Sequence, residues 1–296
     1  MHNMQSSTTI SPLVIKLGGS VITDRFKPYT LNESMTRRFI RRLNDFVANN
    51  PQQPLIVVLG GGSYGHTPVH DFGLSSSRQD APFFTLTQGL YRLKDEFATL
   101  CYDLGFPIEL LQSSCLFTAR NKQPEHCFVE PLLACFAAGR IPVLTGCPAF
   151  DQHGERFIFG SDRIPELLNR MFSCHYCYYV TDKPGIMMSA NQHIDCVDNN
   201  EQRKSALDMV YQSKSKDVTG GMAGKLASIF ELADQGLSSV ICSATALTSA
   251  SDHQLLTGTL TGTRICAPAC STTVSRKSAN DSEQSYQSHQ REVGRC

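Results

Sequence analysis

Leu13-Val14-Ile15-Lys16-Leu17-Gly18-Gly19-Ser20 is an apolar run interrupted by one lysine and closed by two glycines. Five such residues bounded by a turn signal read as a strand buried on both faces. The glycines after it let backbone N–H groups approach an anion with no Cβ in the way. The same pattern returns at Leu55-Ile56-Val57-Val58-Leu59, which ends in Gly60-Gly61-Gly62. Continuously apolar strands belong to mainly parallel sheets covered by helices on both faces.

The rest of the chain extends this alternation. Met35, Phe39, Leu43 and Phe46 predict a helix over Ser34–Asn49, and Leu86, Leu90, Leu93, Phe97 and Leu100 mark a second. Further strands are predicted at Pro107–Leu111, Ile141–Thr145, Cys177–Thr181 and Ser239–Cys242, with helices at Glu130–Gly139 and Gly221–Gln235. The fold class is therefore α/β, a three-layer αβα sandwich around a mainly parallel central sheet. No internal repeat is seen. Residues 1–11 read as a flexible N-terminus and 12–267 as the folded domain. Residues 268–296, rich in Ser, Gln and charge, bury too little apolar surface to offset their ordering entropy and read as a disordered tail.

Composition excludes several classes. Of 296 residues, 27 are Lys or Arg and 27 are Asp or Glu, so no net charge favours nucleic acid or a membrane surface. No run approaches the ~18 apolar residues a membrane span requires. The polar N-terminus MHNMQSSTTI does not read as a secretory signal, so a cytoplasmic location is expected. Twelve cysteines are scattered, several within apolar runs, and read as reduced core thiols.

Chemistry concentrates in three glycine segments. In the first, Lys16 is costly to bury unless it meets a fixed negative charge; the plain alternative is an edge-strand lysine facing water. The second, Gly60-Gly61-Gly62-Ser63-Tyr64-Gly65-His66, fits G-x-G-x-x-G formally. A dinucleotide site would need an acidic residue ending a second strand, whereas Asp80 lies in SSRQDAP, which reads as loop. His66 suits a compact phosphate or phosphonate better. The third, Asp217-Val218-Thr219-Gly220-Gly221-Met222-Ala223-Gly224-Lys225, runs into a helix whose N-terminus attracts anions. It is no Walker A loop: Thr219 stands at the first glycine position and Leu226 at the Ser/Thr position.

Together KLGGSVIT, GGGSYGH, Thr181-Asp182-x-x-Gly185, DVTGGMAGK and Gly262-Thr263-Arg264-Ile265 resemble the amino acid kinase superfamily, and within it the isopentenyl phosphate kinase branch. The resemblance spans about residues 12–266. It implies a homodimer, with ATP over the C-terminal half and a small phosphate- or phosphonate-bearing acceptor over the N-terminal half. Within the branch, Gly160-Ser161-Asp162-Arg163-Ile164-Pro165-Glu166 looks more like the S-D-R-x-P-E of kinases that phosphorylate the phosphonate of fosfomycin. Fosfomycin is therefore the favoured acceptor, with isopentenyl phosphate as the alternative. Two positions depart from the family pattern. Arg25 stands where a second N-terminal lysine is common, and Pro184 replaces the acidic residue of TD-x-D-G.

The resemblance implies a nucleotide site made by Gly18, Gly19, Ser20, Thr181, Asp182, Gly185, Gly221, Met222 and Lys225, with Mg²⁺ bridging the phosphates. Gly61, Gly62, His66, Ser161 and Thr219 would hold the acceptor. Lys16, His66, Asp162 and Lys225 form the expected catalytic set, Asp162 supplying the counter-charge that a buried Lys16 needs. Asp162 could equally be a helix N-cap. No protein-held metal is expected. Cys174-His175-Tyr176-Cys177 has C-x-x-C spacing but no second pair, and residues three apart in a strand face opposite ways, so both read as core cysteines. A non-catalytic module that senses a phosphorylated metabolite, favoured by Arg25 and Pro184, and a nicotinamide oxidoreductase complete the alternatives.

Overall fold

The computed structural model describes residues 10–65, 80–189, 192–212 and 221–267. Its strands are β1 (Leu13–Leu17), β2 (Leu55–Leu59), β3 (Ile108–Leu110), β4 (Phe117–Arg120), β5 (Gln123–Cys127), β6 (Ile141–Thr145) and β7 (Cys147–Phe150). They continue as β8 (Arg156–Phe159), β9 (Tyr176–Thr181), β10 (Met187–Ser189), β11 (Gln192–His193), β12 (Cys196–Val197), β13 (Ser239–Ser243) and β14 (Thr263–Ile265). The helices are α1 (Gly19–Ile22), α2 (Glu33–Asn49), α3 (Asp80–Asp103), α4 (Glu130–Ala137), α5 (Ile164–Phe172), α6 (Asn200–Gln212), α7 (Gly221–Asp234), α8 (Ala244–Ser249) and α9 (Asp252–Thr257).

Eight strands form one sheet in the order β12-β14-β13-β9-β1-β2-β6-β3. Pairing is parallel from β13 through β3; the edge pair β14 and β12, parallel to each other, runs antiparallel to the rest. The apolar runs explain the centre. β1 lies between β9 and β2, and Leu13, Ile15 and Leu17 face one helical layer while Val14 faces the other. The first layer is built by α2, α3, α8 and α9 through Phe39, Leu43, Phe97, Leu247 and Leu255. The second is built by α4, α5, α6 and α7 through Leu132, Leu167, Ala206, Leu226 and Ile229. Each large aliphatic side chain so buried contributes about 1.5–3 kcal/mol of transfer free energy.

Several expectations need correction. Asp80 is the first residue of α3 rather than part of a loop; the amphipathic pattern that begins there is long enough to outweigh the polar stretch. Lys16 is not at an edge, because β1 is central and the residue is 3% exposed. Cys174 and Cys177 are both buried, but in the same half of the core. Strand alternation does not relate them, since β9 begins only at Tyr176. Burial pushes the Cys174 thiol up to about 12. The ten cysteines among the described residues are free thiols. The hairpins β4–β5 and β7–β8 and the helix α6 are not among the elements that the sequence predicts, whereas α5 starts just after Asp162, where the helix-cap alternative places a helix. Residues 1–9 and the segment 268–296 lie outside the described residues.

Candidate active site at the carboxyl edge of the sheet

In an open parallel sheet, ligands bind beyond the carboxyl ends of the strands, where the chain order reverses direction. Here that point is β1. The chain proceeds from β1 to β2 on one side and later returns with β9 on the other. The residues following β1, β2 and β9 are Gly18, Gly60 and Asp182, so both N-terminal glycine segments and the Thr181-Asp182 segment reach one edge of the sheet.

The glycines are required by packing. The Gly18 N–H donates to the Val180 carbonyl at 2.8 Å, and a Cβ on Gly18 would lie 2.5 Å from that oxygen. A Cβ on Gly19 would overlap the Gly62 amide nitrogen, and one on Gly62, whose φ is +49°, would overlap the Thr23 hydroxyl. Thr23 joins the two loops: its hydroxyl donates to the Gly19 carbonyl at 2.7 Å and accepts from the Ser63 N–H at 3.0 Å. The segments that read as separate anion loops are one interlocked structure. At Gly19 the chain turns into α1, and the first N–H groups of a helix have no acceptor within it.

Lys16 points from β1 toward the second layer. Its ammonium lies 2.5 Å from Asp162 Oδ1. Asp162 sits in the 3₁₀ turn Ser161–Arg163 that precedes α5, and a neighbouring strand fixes this turn. Tyr179, in register with Lys16 across the β1–β9 pair, donates its buried hydroxyl to the Asp162 carbonyl at 3.3 Å. Asp162 therefore serves as counter-charge; no side-chain cap is made at the start of α5. The helix α7, which carries Lys225, packs against the same turn. Ser161 is half-buried in that turn, and its amide nitrogen would lie 2.8 Å from a Cβ on Gly146.

On the other side of β1, Asp182 is paired with Arg25, Nη2 to Oδ2 at 2.9 Å, and accepts from Ser20 Oγ at 3.4 Å. Burial works to raise the Asp182 pKa, but the Arg25 hydrogen bond and charge outweigh it and hold the carboxyl below its usual value. Thr181 folds back on its own loop, donating to the Lys183 carbonyl and accepting from the Lys183 N–H. A Cβ on Gly185 would collide with Thr263, whose buried hydroxyl accepts from Ile186 N–H and donates to the Ile194 carbonyl. The late G-T-x-I motif thus braces this loop from β14.

Of the anticipated residues, Lys16, Gly18, Gly19, Ser20, Gly61, Gly62, Ser161, Asp162, Thr181 and Asp182 gather at this edge. Gly221 and Met222 begin α7, and Lys225 lies in its second turn. His66 and Thr219 lie outside the described residues. Arg25 as partner of Asp182, and Tyr179 as brace of Asp162, were missed as site residues. The register of β1 with β9 identifies Tyr179, but sequence alone does not give that pairing.

The comparisons with known proteins agree with this geometry. The amino acid kinase family profile matches residues 11–243. An isopentenyl phosphate kinase of Methanocaldococcus jannaschii is 30% identical over 224 residues, 72% of this chain and 84% of the relative. Another, from Methanothermobacter thermautotrophicus, is 26% identical over 86% of this chain and 98% of its own length. The crystal structure of the T. acidophilum isopentenyl phosphate kinase product complex superposes with a TM-score of 0.66 at 18% identity, covering 86% of this chain and all of that one. An interlocked pair of glycine loops at the switch point, a buried lysine with its counter-charge and these matches have one reading: the chain belongs to the amino acid kinase family.

Proposed function

We propose that this protein transfers the γ-phosphoryl group of ATP to the phosphate of a small organic phosphate, with isopentenyl phosphate as the acceptor. One observation carries the reading: a sealed lysine ammonium, held by Asp162, stands beside two interlocked glycine loops where strands β1 and β2 end. In-line phosphoryl transfer needs positioning and charge neutralisation rather than a covalent protein intermediate. An acceptor phosphate oxygen forms the new bond to phosphorus, and the bond to the β–γ bridging oxygen breaks, giving ADP. The acceptor is already ionised near neutral pH, so no strong base is needed.

Lys16 neutralises charge between acceptor and γ-phosphate, and Asp162 positions it. Lys225, Gly221 and Met222 at the start of α7 hold the nucleotide phosphates together with Gly18, Gly19 and Ser20. Gly185, Thr181 and Asp182 shape the nucleotide-side loop. Gly61, Gly62, His66, Ser161 and Thr219 hold the acceptor. The site fits a magnesium nucleotide, since Mg²⁺ keeps several waters and is carried largely by substrate phosphates. Among the described residues no cluster of three or more His, Cys, Asp or Glu forms a dedicated cage. Among the same residues, no helix is long and apolar enough to cross a membrane. A homodimer in a cytoplasmic setting remains part of the proposal.

The acceptor choice follows the relatives, which are named isopentenyl phosphate kinases; nothing in these comparisons links the chain to fosfomycin kinases. The S-D-R-x-P-E segment, which favours fosfomycin, has its charged side chains in internal pairs. Asp162 binds Lys16, and Glu166 lies 2.7 Å from Arg170 and 3.7 Å from Arg163. The test is ADP release with ATP and Mg²⁺, offering isopentenyl phosphate and fosfomycin in parallel. Turnover with the prenyl phosphate supports the reading. Turnover with fosfomycin alone replaces the acceptor, and nucleotide binding without turnover on either replaces the enzyme with a sensor.

A further inference from the structure

Among the described residues two lysines are buried, Lys16 at 3% exposure and Lys94 at 6%. Lys16 has Asp162. Among the same residues Lys94 has no carboxylate at ion-pair distance: its Nζ donates to Gln112 Oε1 at 3.0 Å and lies 4.7 Å from the centre of the Tyr91 ring. An ammonium carries three donors, and one amide oxygen takes one of them. Burying such a group with a single neutral acceptor is costly, and burial accordingly lowers its pKa.

Its position is informative. Lys94 lies one turn beyond Leu90, whose side chain packs on Gly61, and Gly89 of the same helix abuts the Tyr64 carbonyl. Gln112 follows β3 at the carboxyl edge of the sheet, and the neighbouring Ser113 hydroxyl donates to the Thr145 carbonyl at the end of β6. Strand β6 lies between β2 and β3. The ammonium therefore sits over the ends of β6 and β3, one to two inter-strand spacings, roughly 5–10 Å, from the Gly61 loop that follows β2. An acceptor whose phosphate is held at Gly61 and Gly62 would bring its organic part to Lys94 by extending along α3.

We propose that Lys94 is a specificity-determining residue that donates to an oxygen on the organic part of the acceptor, so that this chain prefers a small phosphate monoester carrying a distal oxygen over its bare hydrocarbon counterpart. The inference deepens the proposed function and rests on its placement of the acceptor. Isopentenyl phosphate is then a competent acceptor that leaves the Lys94 donors unused.

The test compares 4-hydroxybutyl phosphate, butyl phosphate and isopentenyl phosphate on the full chain and on Lys94→Met. Both kcat/KM and calorimetric affinity without nucleotide are measured. A hydrogen bond to a charged donor should give wild type a preference of about 10- to 100-fold for the hydroxylated compound over butyl phosphate. Lys94→Met should abolish or reverse that preference, and Lys94→Gln, which keeps a neutral donor, should retain part of it. Equal affinity of wild type for the two butyl compounds overturns the assignment without any variant. So does a preference that Lys94→Met leaves unchanged. Binding with the expected preference but no ADP release keeps Lys94 and removes the kinase reading, so the two failures are distinguishable.

Discussion

The ammonium of Lys16 lies 2.5 Å from the carboxylate of Asp162, and the two partners differ sharply in exposure: the lysine side chain is 4% exposed and the aspartate 33%. Removing the aspartate leaves a sealed charge uncompensated, which costs about 3–5 kcal/mol when both partners are buried. With Asp162 partly screened by water, Asp162→Asn should cost about 2 kcal/mol, read as a lowered denaturation midpoint. It should also slow turnover through a misplaced Lys16. Unchanged stability would mean that water already solvates the lysine.

Lys16→Ala and Lys225→Ala should each lower kcat by about two to three orders of magnitude, the scale seen when one positioned donor is lost from a transition-state site. Lys225→Ala should in addition raise KM for ATP more than KM for the acceptor. Near-normal turnover in Lys16→Ala would remove this residue from the chemistry.

Gly19→Ala and Gly224→Ala should have opposite signs. A methyl group at Gly19 meets backbone at Gly62, which cannot rotate away, so unfolding should become easier by about 2–3 kcal/mol. At Gly224, inside α7, a Cβ has nothing within 4 Å. There alanine should stabilise by up to about 1 kcal/mol through helix propensity. Denaturant midpoints of the two variants decide it.

The Arg25–Asp182 pair predicts a pH effect with a definite sign. The Asp182 pKa is held below its ordinary 3.8 in the folded protein. A depressed carboxyl contributes stability that is present above its unfolded-state value and is lost as pH falls through the folded-state value. Wild type should therefore exceed Arg25→Ala in stability above pH ~4, with the difference closing as acid protonates Asp182. Carbon-detected NMR of the Asp182 carboxyl should show it titrating at higher pH in Arg25→Ala. An unmoved titration would mean that the guanidinium does not set it.

Strands β1, β2 and β6 are legible to the residue because each is an apolar run cut off by polar or glycine punctuation. The counter-charge for Lys16 is legible too, since a buried lysine demands one and the family resemblance points to Asp162, which lies at ion-pair distance. The hairpins escaped: β5 is Gln123-Pro124-Glu125-His126-Cys127, whose polarity and proline give no strand signal, and its pairing with β4 is a tertiary fact. Arg25 looked like a departure from a lysine pattern. Its partner Asp182 follows β9, and only the tertiary pairing of β9 with β1 brings the two residues together. Lys94 is legible only as a residue on one face of a helix; its hydrogen bond to Gln112, beyond the end of β3, is a tertiary fact.

The contact between Gly19 and Gly62 has a thermodynamic consequence for the proposed reaction. The loop assigned to the nucleotide and the loop assigned to the acceptor share one wall, joined by Thr23, and neither has room to shift alone. On the proposed placement of the substrates, a ligand that displaces one loop must displace the other, so the expectation is that the two substrates bind with a coupling free energy rather than as independent guests. Linkage is reciprocal: whatever factor the nucleotide applies to acceptor affinity, the acceptor returns to the nucleotide.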